Sequence, residues 1–294
     1  MRSNNPVFNR NEEFNRSGAG YGQATYGDAA GYPGYAQGQP GYGDGQPAGF
    51  GAPPIQRTDR MTIDTVVQST AITLGITILA AAATWFLTPS LENSAEAQDA
   101  VGQLTMLMLV GSGAAFLLSL VNSFKRVISP GLVIAFAVAE GVALGAISKF
   151  YDAIYGVDAE MGGIVMQAVI GTFAAFAGTL AAYKFFEIKV GQKFRTFVIA
   201  AMFGMVALSL MELVLSMFGG GLGLYDNNAL GLVFAIAGLV LGVFMLILDF
   251  DFIEQGIANG LPARESWRAS FGLLVSLVWI YTNLLRILAI FQQD

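Results

Sequence analysis

The chain has 294 residues, a formal net charge of -6, 54% hydrophobic and only 12% charged residues, and a mean hydropathy of +0.58. So little charge on so apolar a chain points to a bilayer rather than to a water-facing globule. Cysteine and histidine are both absent, which excludes disulfides, thiolate or imidazole metal sites, cysteine catalysis and a Ser/His/Asp triad. No basic patch suggests nucleic acid, and titration near neutrality would fall to carboxyl groups.

Residues 1–60 come first and are read as a disordered cytoplasmic tail. They repeat Gly, Tyr, Pro, Gln and Ala, as in Gly31-Tyr32-Pro33-Gly34-Tyr35, with too little aliphatic surface to offset the entropy of ordering. Beside the plain reading of a flexible tail, Tyr21, Tyr26, Tyr32, Tyr35 and Tyr42 offer stickers for self-association or a partner domain. The first apolar run starts near Ile63, too late for a cleaved secretory peptide, and is read as an uncleaved signal anchor.

Residues 61–294 are expected to form a seven-helix transmembrane domain, all-α and polytopic. A hydrocarbon core roughly 30 Å thick needs about 20 helical residues, and seven apolar runs meet that length: 63–87, 104–123, 130–149, 162–183, 196–218, 229–253 and 269–291. Basic residues alternate between the loops. Arg57 and Arg60 precede the first run, and Lys125 and Arg126 follow the second. Lys184, Lys189, Lys193 and Arg195 separate the fourth and fifth, and Arg264 and Arg268 the sixth and seventh. Glu92, Glu96, Asp99, Asp158 and Glu160 fill the other loops, with Lys149 at the end of the third run beside Asp152. The asymmetry places the N-terminus in the cytoplasm and the C-terminus outside. Gly141 and Gly145, Gly238 and Gly242, and Gly111 and Gly113 give spans 3, 6 and 2 small faces, read as internal packing rather than as a dimer interface.

The charged residues inside these runs carry most of the functional information. Glu140 lies midway along span 3, Glu212 in the outer part of span 5, Asp249 and Asp251 at the inner end of span 6, and Arg286 in the outer part of span 7. An ionised group near a bilayer centre costs roughly 2.5–3.5 kcal/mol, and four acids cannot all pair with one arginine. Glu212 and Arg286, about 16 and 18 residues from the cytoplasmic side, share a depth and are expected to form a structural ion pair. Asp249, about five residues from that side, has Lys125, Arg126, Arg264 and Arg268 as reachable partners. Asp251, two residues on, points elsewhere and is expected to be the more solvated of the two. Ser276 and Asn283 share a face of span 7 with Arg286, either lining a cavity or bonding neighbouring helices. No phosphate loop or other enzyme signature is present.

Residues 60–291 resemble the Bax inhibitor-1 family, in a divergent bacterial branch with a Gly/Tyr/Pro-rich tail. The resemblance rests on Arg60-Met61-Thr62-Ile63-Asp64-Thr65-Val66-Val67 at the start of span 1 and Glu140-Gly141-Val142-Ala143-Leu144-Gly145 in span 3. The aspartate motif from Leu248 to Glu254 and Leu284-Leu285-Arg286-Ile287-Leu288 complete it. It implies a seven-helix fold with one central helix surrounded by the other six, in a bacterial cytoplasmic membrane. It also implies a proton-gated cation leak, best known for calcium, with an aspartate pair on spans 6 and 7. The span 6 aspartate carries over to Asp249 or Asp251, and Asp249 is favoured. Span 7 departs from the pattern, offering only Ser276, Thr282 and Asn283 where the family has an acid.

Two functions follow as expectations. In the first the protein is a passive cation leak with no cofactor and calcium as permeant ion. Glu140, Asp249 and Asp251 then lie on the ion path or sense protons, and Lys125, Arg126, Ser276 and Asn283 serve as gate or latch. In the second it conducts nothing and modulates a membrane protease or another membrane protein through its tail and loops. The resemblance further implies roles in stress tolerance and, for some bacterial relatives, modulation of a membrane protease.

Overall fold

The computed structural model describes residues 60–89, 97–155 and 163–292. The expectations for the tail and for the acidic loop residues Glu92, Glu96, Asp158 and Glu160 therefore lie outside the described residues. Seven α-helices follow one another: α1 (Ile63–Leu87), α2 (Ala97–Phe124), α3 (Pro130–Tyr155), α4 (Gly163–Phe185), α5 (Gln192–Met217), α6 (Ala229–Ala258) and α7 (Glu265–Phe291). Each is long and apolar enough to cross a membrane, and among the described residues there is no strand, only a bridge between Arg60 and Pro262.

Local chemistry sets the helix ends. Thr62 and Thr65 form a capping box at α1, with the Thr65 amide donating to Thr62 Oγ1 at 3.2 Å and the Thr62 amide to Thr65 Oγ1 at 2.9 Å. Pro130 opens α3, where its missing N–H costs nothing. Asn228 caps α6 by accepting from the Gly231 amide at 2.8 Å. At the far end of α1, Lys149 of α3 donates to the carbonyls of Trp85 and Thr88 (2.8 and 2.6 Å) and to Thr88 Oγ1 (2.9 Å). An ammonium there meets both the unpaired carbonyls and the negative end of the helix dipole.

The close approach of α1 to α3 comes from two complementary surfaces. Ser69, Thr73, Thr77, Thr84 and Thr88 are buried along α1. Four of these threonines turn their hydroxyls back on the carbonyl four residues earlier, at 2.8–3.1 Å. Their polarity is thereby spent within the helix. Facing them, Gly141 and Gly145 of α3 lie so near Thr77, Ala80 and Ala81 that a Cβ at either would collide with α1. Gly238 and Gly242 do the same for α6 against Asn283, Trp279 and Ile280 of α7, and Gly111 for α2 against Ala139 and Ala143. Gly113 meets open space instead. The glycine pairs thus serve packing within one chain, where lipid removes the hydrophobic drive between helices.

The expected arrangement of one helix enclosed by six is not what the packing gives. Among the described residues α7 packs against α1, α3, α4 and α6, whereas α2 rests on α3 and α5 on α6. The outer two helices have little buried surface: α5 buries only Val198 and Glu212. Helix lengths also correct a depth. Because α6 continues to Ala258, Asp249 lies nine residues from its end, about 14 Å, not five.

Candidate functional site

The starts of α1, α3, α5 and α7 and the finishes of α2, α4 and α6 make one end of the bundle. Arg268 there donates to the carbonyls of Lys125 and Arg126 (3.4 and 3.0 Å) and to Glu265 at 2.7 Å. The Met61 amide donates to the Leu261 carbonyl at 2.6 Å. Ser266 ties α7 to α1 through Thr65 Oγ1 at 2.7 Å and through its carbonyl, which accepts from Ser69 Oγ at 3.0 Å.

Above this floor, α6 presents its two aspartates to different neighbours. Ser276 Oγ of α7 donates to Asp249 Oδ2 at 2.5 Å. Gly272, one turn earlier, leaves room for that carboxylate, since a Cβ there would stand 2.8 Å from Asp249 Oδ1. Ser276 is buried and Asp249 half-buried. Among the described residues no ion pair to Asp249 is formed: Lys125 and Arg126 have exposed side chains, and Arg268 binds Glu265. A two-residue step along a helix turns a side chain by about 200°, so Asp251 faces α5. There Arg195 donates to Asp251 Oδ2 at 2.7 Å, and Gln255 Nε2 adds a bond of 2.8 Å. Asp251 is therefore buried, with 7% exposure, rather than solvated. Beside it, Tyr183 of α4 donates to Glu254 Oε2 at 2.6 Å.

Glu140 is half-buried in α3, and among the described residues no donor bonds its carboxylate. It stands ten residues from the start of α3, and Ser276 eleven from the start of α7. At 1.5 Å per residue both lie about 15 Å from that end of the bundle, level with Asp249.

The expected ion pair between Glu212 and Arg286 does not form. Glu212 accepts from the amides of Leu222 and Gly223 at 2.7 and 3.0 Å. Arg286 donates to the Leu224 carbonyl and lies 4.7 Å above the Tyr225 ring. Equal depth brought both to the same 218–228 loop, where backbone groups compete successfully for each. Asn283 also has a packing duty, filling the space at Gly238 and donating to the Trp279 carbonyl at 2.7 Å.

Sequence reasoning missed Arg195 as the partner of Asp251, because it stood among loop bases and α5 begins at Gln192. It also missed the buried hydroxyls of α1, whose four-residue spacing was a readable signal. The pair Ser148–Tyr281, bonded at 2.6 Å between α3 and α7, left no local signature. Among the described residues no group of three acids is placed to hold a metal ion.

A search of curated proteins gives no match. A family model described as Bax inhibitor 1 like matches residues 5–293. The chain belongs to that family.

Proposed function

We propose that this seven-span member of the Bax inhibitor 1 like family is a passive cation leak, with calcium as permeant ion and protons as regulator. We place it in a bacterial cytoplasmic membrane, with the N-terminus in the cytoplasm. What supports the reading most is the environment of Asp249: a carboxylate inside a span, held among the described residues by one hydroxyl and by no cation. A carboxylate so placed costs roughly 2.5–3.5 kcal/mol if ionised and is a site candidate by default. The cost is relieved by a proton, by water or by a passing cation. Glu140, at the same depth, has the same need.

Calcium takes six to eight oxygen ligands in a tight site. Asp249 and Ser276 supply three between them, so an ion would be attracted and then released, keeping most of its water. That suits transit rather than storage. The ion pair of Arg195 with Asp251 stands on the other flank of α6, and we assign it the latch role expected of Lys125 and Arg126. The orientation is supported by the basic residues, since Arg60, Lys125, Arg126, Arg195, Arg264 and Arg268 all belong to one end of the bundle.

Calcium entry into dye-loaded liposomes, at pH 6 and pH 8, tests the reading on wild type and Asp249→Asn. Flux above empty liposomes is expected, differing between the two pH values, and both the flux and the difference should shrink in the variant. Folded, inserted protein without flux at either pH would sink the leak. The protein would then be read as a non-conducting modulator of a membrane partner, whose activity is lost on removing residues 1–56.

A further inference from the structure

A separate feature lies toward the other end of the bundle. Helices α1, α3, α4 and α7 enclose a cavity of about 540 Å³, within the range of small-molecule sites. Helices α1 and α4 both border it, yet among the described residues they do not pack against each other. The cavity therefore opens sideways between them, where Ile78, Phe86, Met166 and Phe173 are exposed. Its wall on α1 runs from Leu74 to Phe86, twelve residues or about 18 Å. Half of a hydrocarbon core is about 15 Å, so the groove is as long as one leaflet is deep.

The lining is apolar except at one end. Thr77 and Thr172 spend their hydroxyls on their own helices at 2.9 and 2.7 Å, and Ser148 and Tyr281 bond each other. Asp152 is the one charged residue on the wall. The nearest base in sequence, Lys149, has all three donors committed to the end of α1. Among the described residues Asp152 has no ion pair. Arg286, the other basic residue toward that end among the described residues, is held by the Leu224 carbonyl and lies over the Tyr225 ring.

We infer that this groove binds one phospholipid of the adjoining leaflet, its acyl chain lying between α1 and α4 and an ammonium-bearing headgroup directed to Asp152. Surrounding lipid is as apolar as the groove, so burying the chain gives little preference by itself. Selectivity falls to the headgroup, where the Asp152 carboxylate favours an ammonium and repels a net anion. The site shares no residue with the pair of Asp249 and Ser276.

The experiment incubates the purified full chain with equal amounts of phosphatidylethanolamine and phosphatidylglycerol of identical acyl chains. Retained lipid is then counted by native mass spectrometry. Wild type should retain the ethanolamine lipid about fivefold over the glycerol lipid, the scale of one partly exposed ion pair. Asp152→Asn should bring the ratio near one without reducing total lipid. Ala82→Trp, which fills the groove from α1, should lower retention of both. Equal retention of the two lipids by wild type, or an unchanged ratio in Asp152→Asn, overturns the proposal, and both readouts stand even if Ala82→Trp misfolds. Folded Ala82→Trp that retains as much lipid as wild type overturns it as well. Ion flux is not read, so the outcome is separate from that of the leak.

Discussion

The two halves of the region built from α5, α6 and α7 treat buried charge differently. Near the loop of residues 218–228, Glu212 and Arg286 are 7% and 6% exposed, and each is held by backbone groups of that loop. Nearer the other end, Asp249 has among the described residues a single hydroxyl for company, while Asp251 has a guanidinium and an amide. The sequence shows four acids and one arginine in the spans, an imbalance that looks like four functional candidates. Counting donors reduces it. Two backbone amides account for Glu212 and Arg195 accounts for Asp251, which leaves Asp249 and Glu140. A buried acid with few partners of its own is the stronger candidate for an ion or proton site.

The comparison can be broken most directly at the compensated end. Arg286→Met removes the donor to the Leu224 carbonyl and the cation over Tyr225, leaving a buried acceptor unpaired. We expect a loss of about 3 kcal/mol, read as a lower unfolding midpoint in detergent or bicelles. Arg195→Met strands Asp251 without its cation and should cost about 2 kcal/mol, most of it recovered when Asp251→Asn is added. A double-mutant cycle on unfolding measures that coupling, and additive losses would mean the pair is idle. Gly272→Ala sharpens the contrast on the other side. Its Cβ would press on Asp249 Oδ1, a flexible contact, for about 1 kcal/mol, and should alter calcium flux more than it alters stability.

Much of this was legible in the sequence, for reasons that also explain what was not. Bilayer thickness forces helix length, so seven apolar runs became seven helices, and the glycine pairs on α3 and α6 became contact faces. Helix ends were less legible, since apolarity stops where the bilayer stops while hydrogen bonding continues. That is why α6 runs on to Ala258 and α7 starts at Glu265, and why Asp249 proved deeper than its apolar run suggested. Pairing by depth failed for Glu212 and Arg286 because it counts side chains alone, whereas loop amides and carbonyls are equally able partners. The stripe from Ser69 to Thr88 was visible as spacing, but its meaning depended on which helix Gly141 and Gly145 would face. The leak itself, its ion and its regulation by protons rest on resemblance and on the environment of Asp249, not on a sequence motif.

The smallest change in stability is expected where the change in function is greatest. Asp249→Asn keeps the volume and the hydrogen bond to Ser276 while removing a charge that costs energy inside a span. Unfolding should be unchanged or shifted upward by at most about 1 kcal/mol, the reverse of Arg286→Met. Over the same comparison, calcium flux should fall severalfold in Asp249→Asn and stay near wild type in whatever Arg286→Met protein remains folded. Thermal unfolding and liposome flux on the two variants together make a crossed test. If Asp249→Asn loses stability as Arg286→Met does and leaves flux intact, the carboxylate is a structural acceptor for Ser276. The two halves of the region would then do the same work. If the effects cross, the uncompensated acid is retained for what passes it rather than for what it holds.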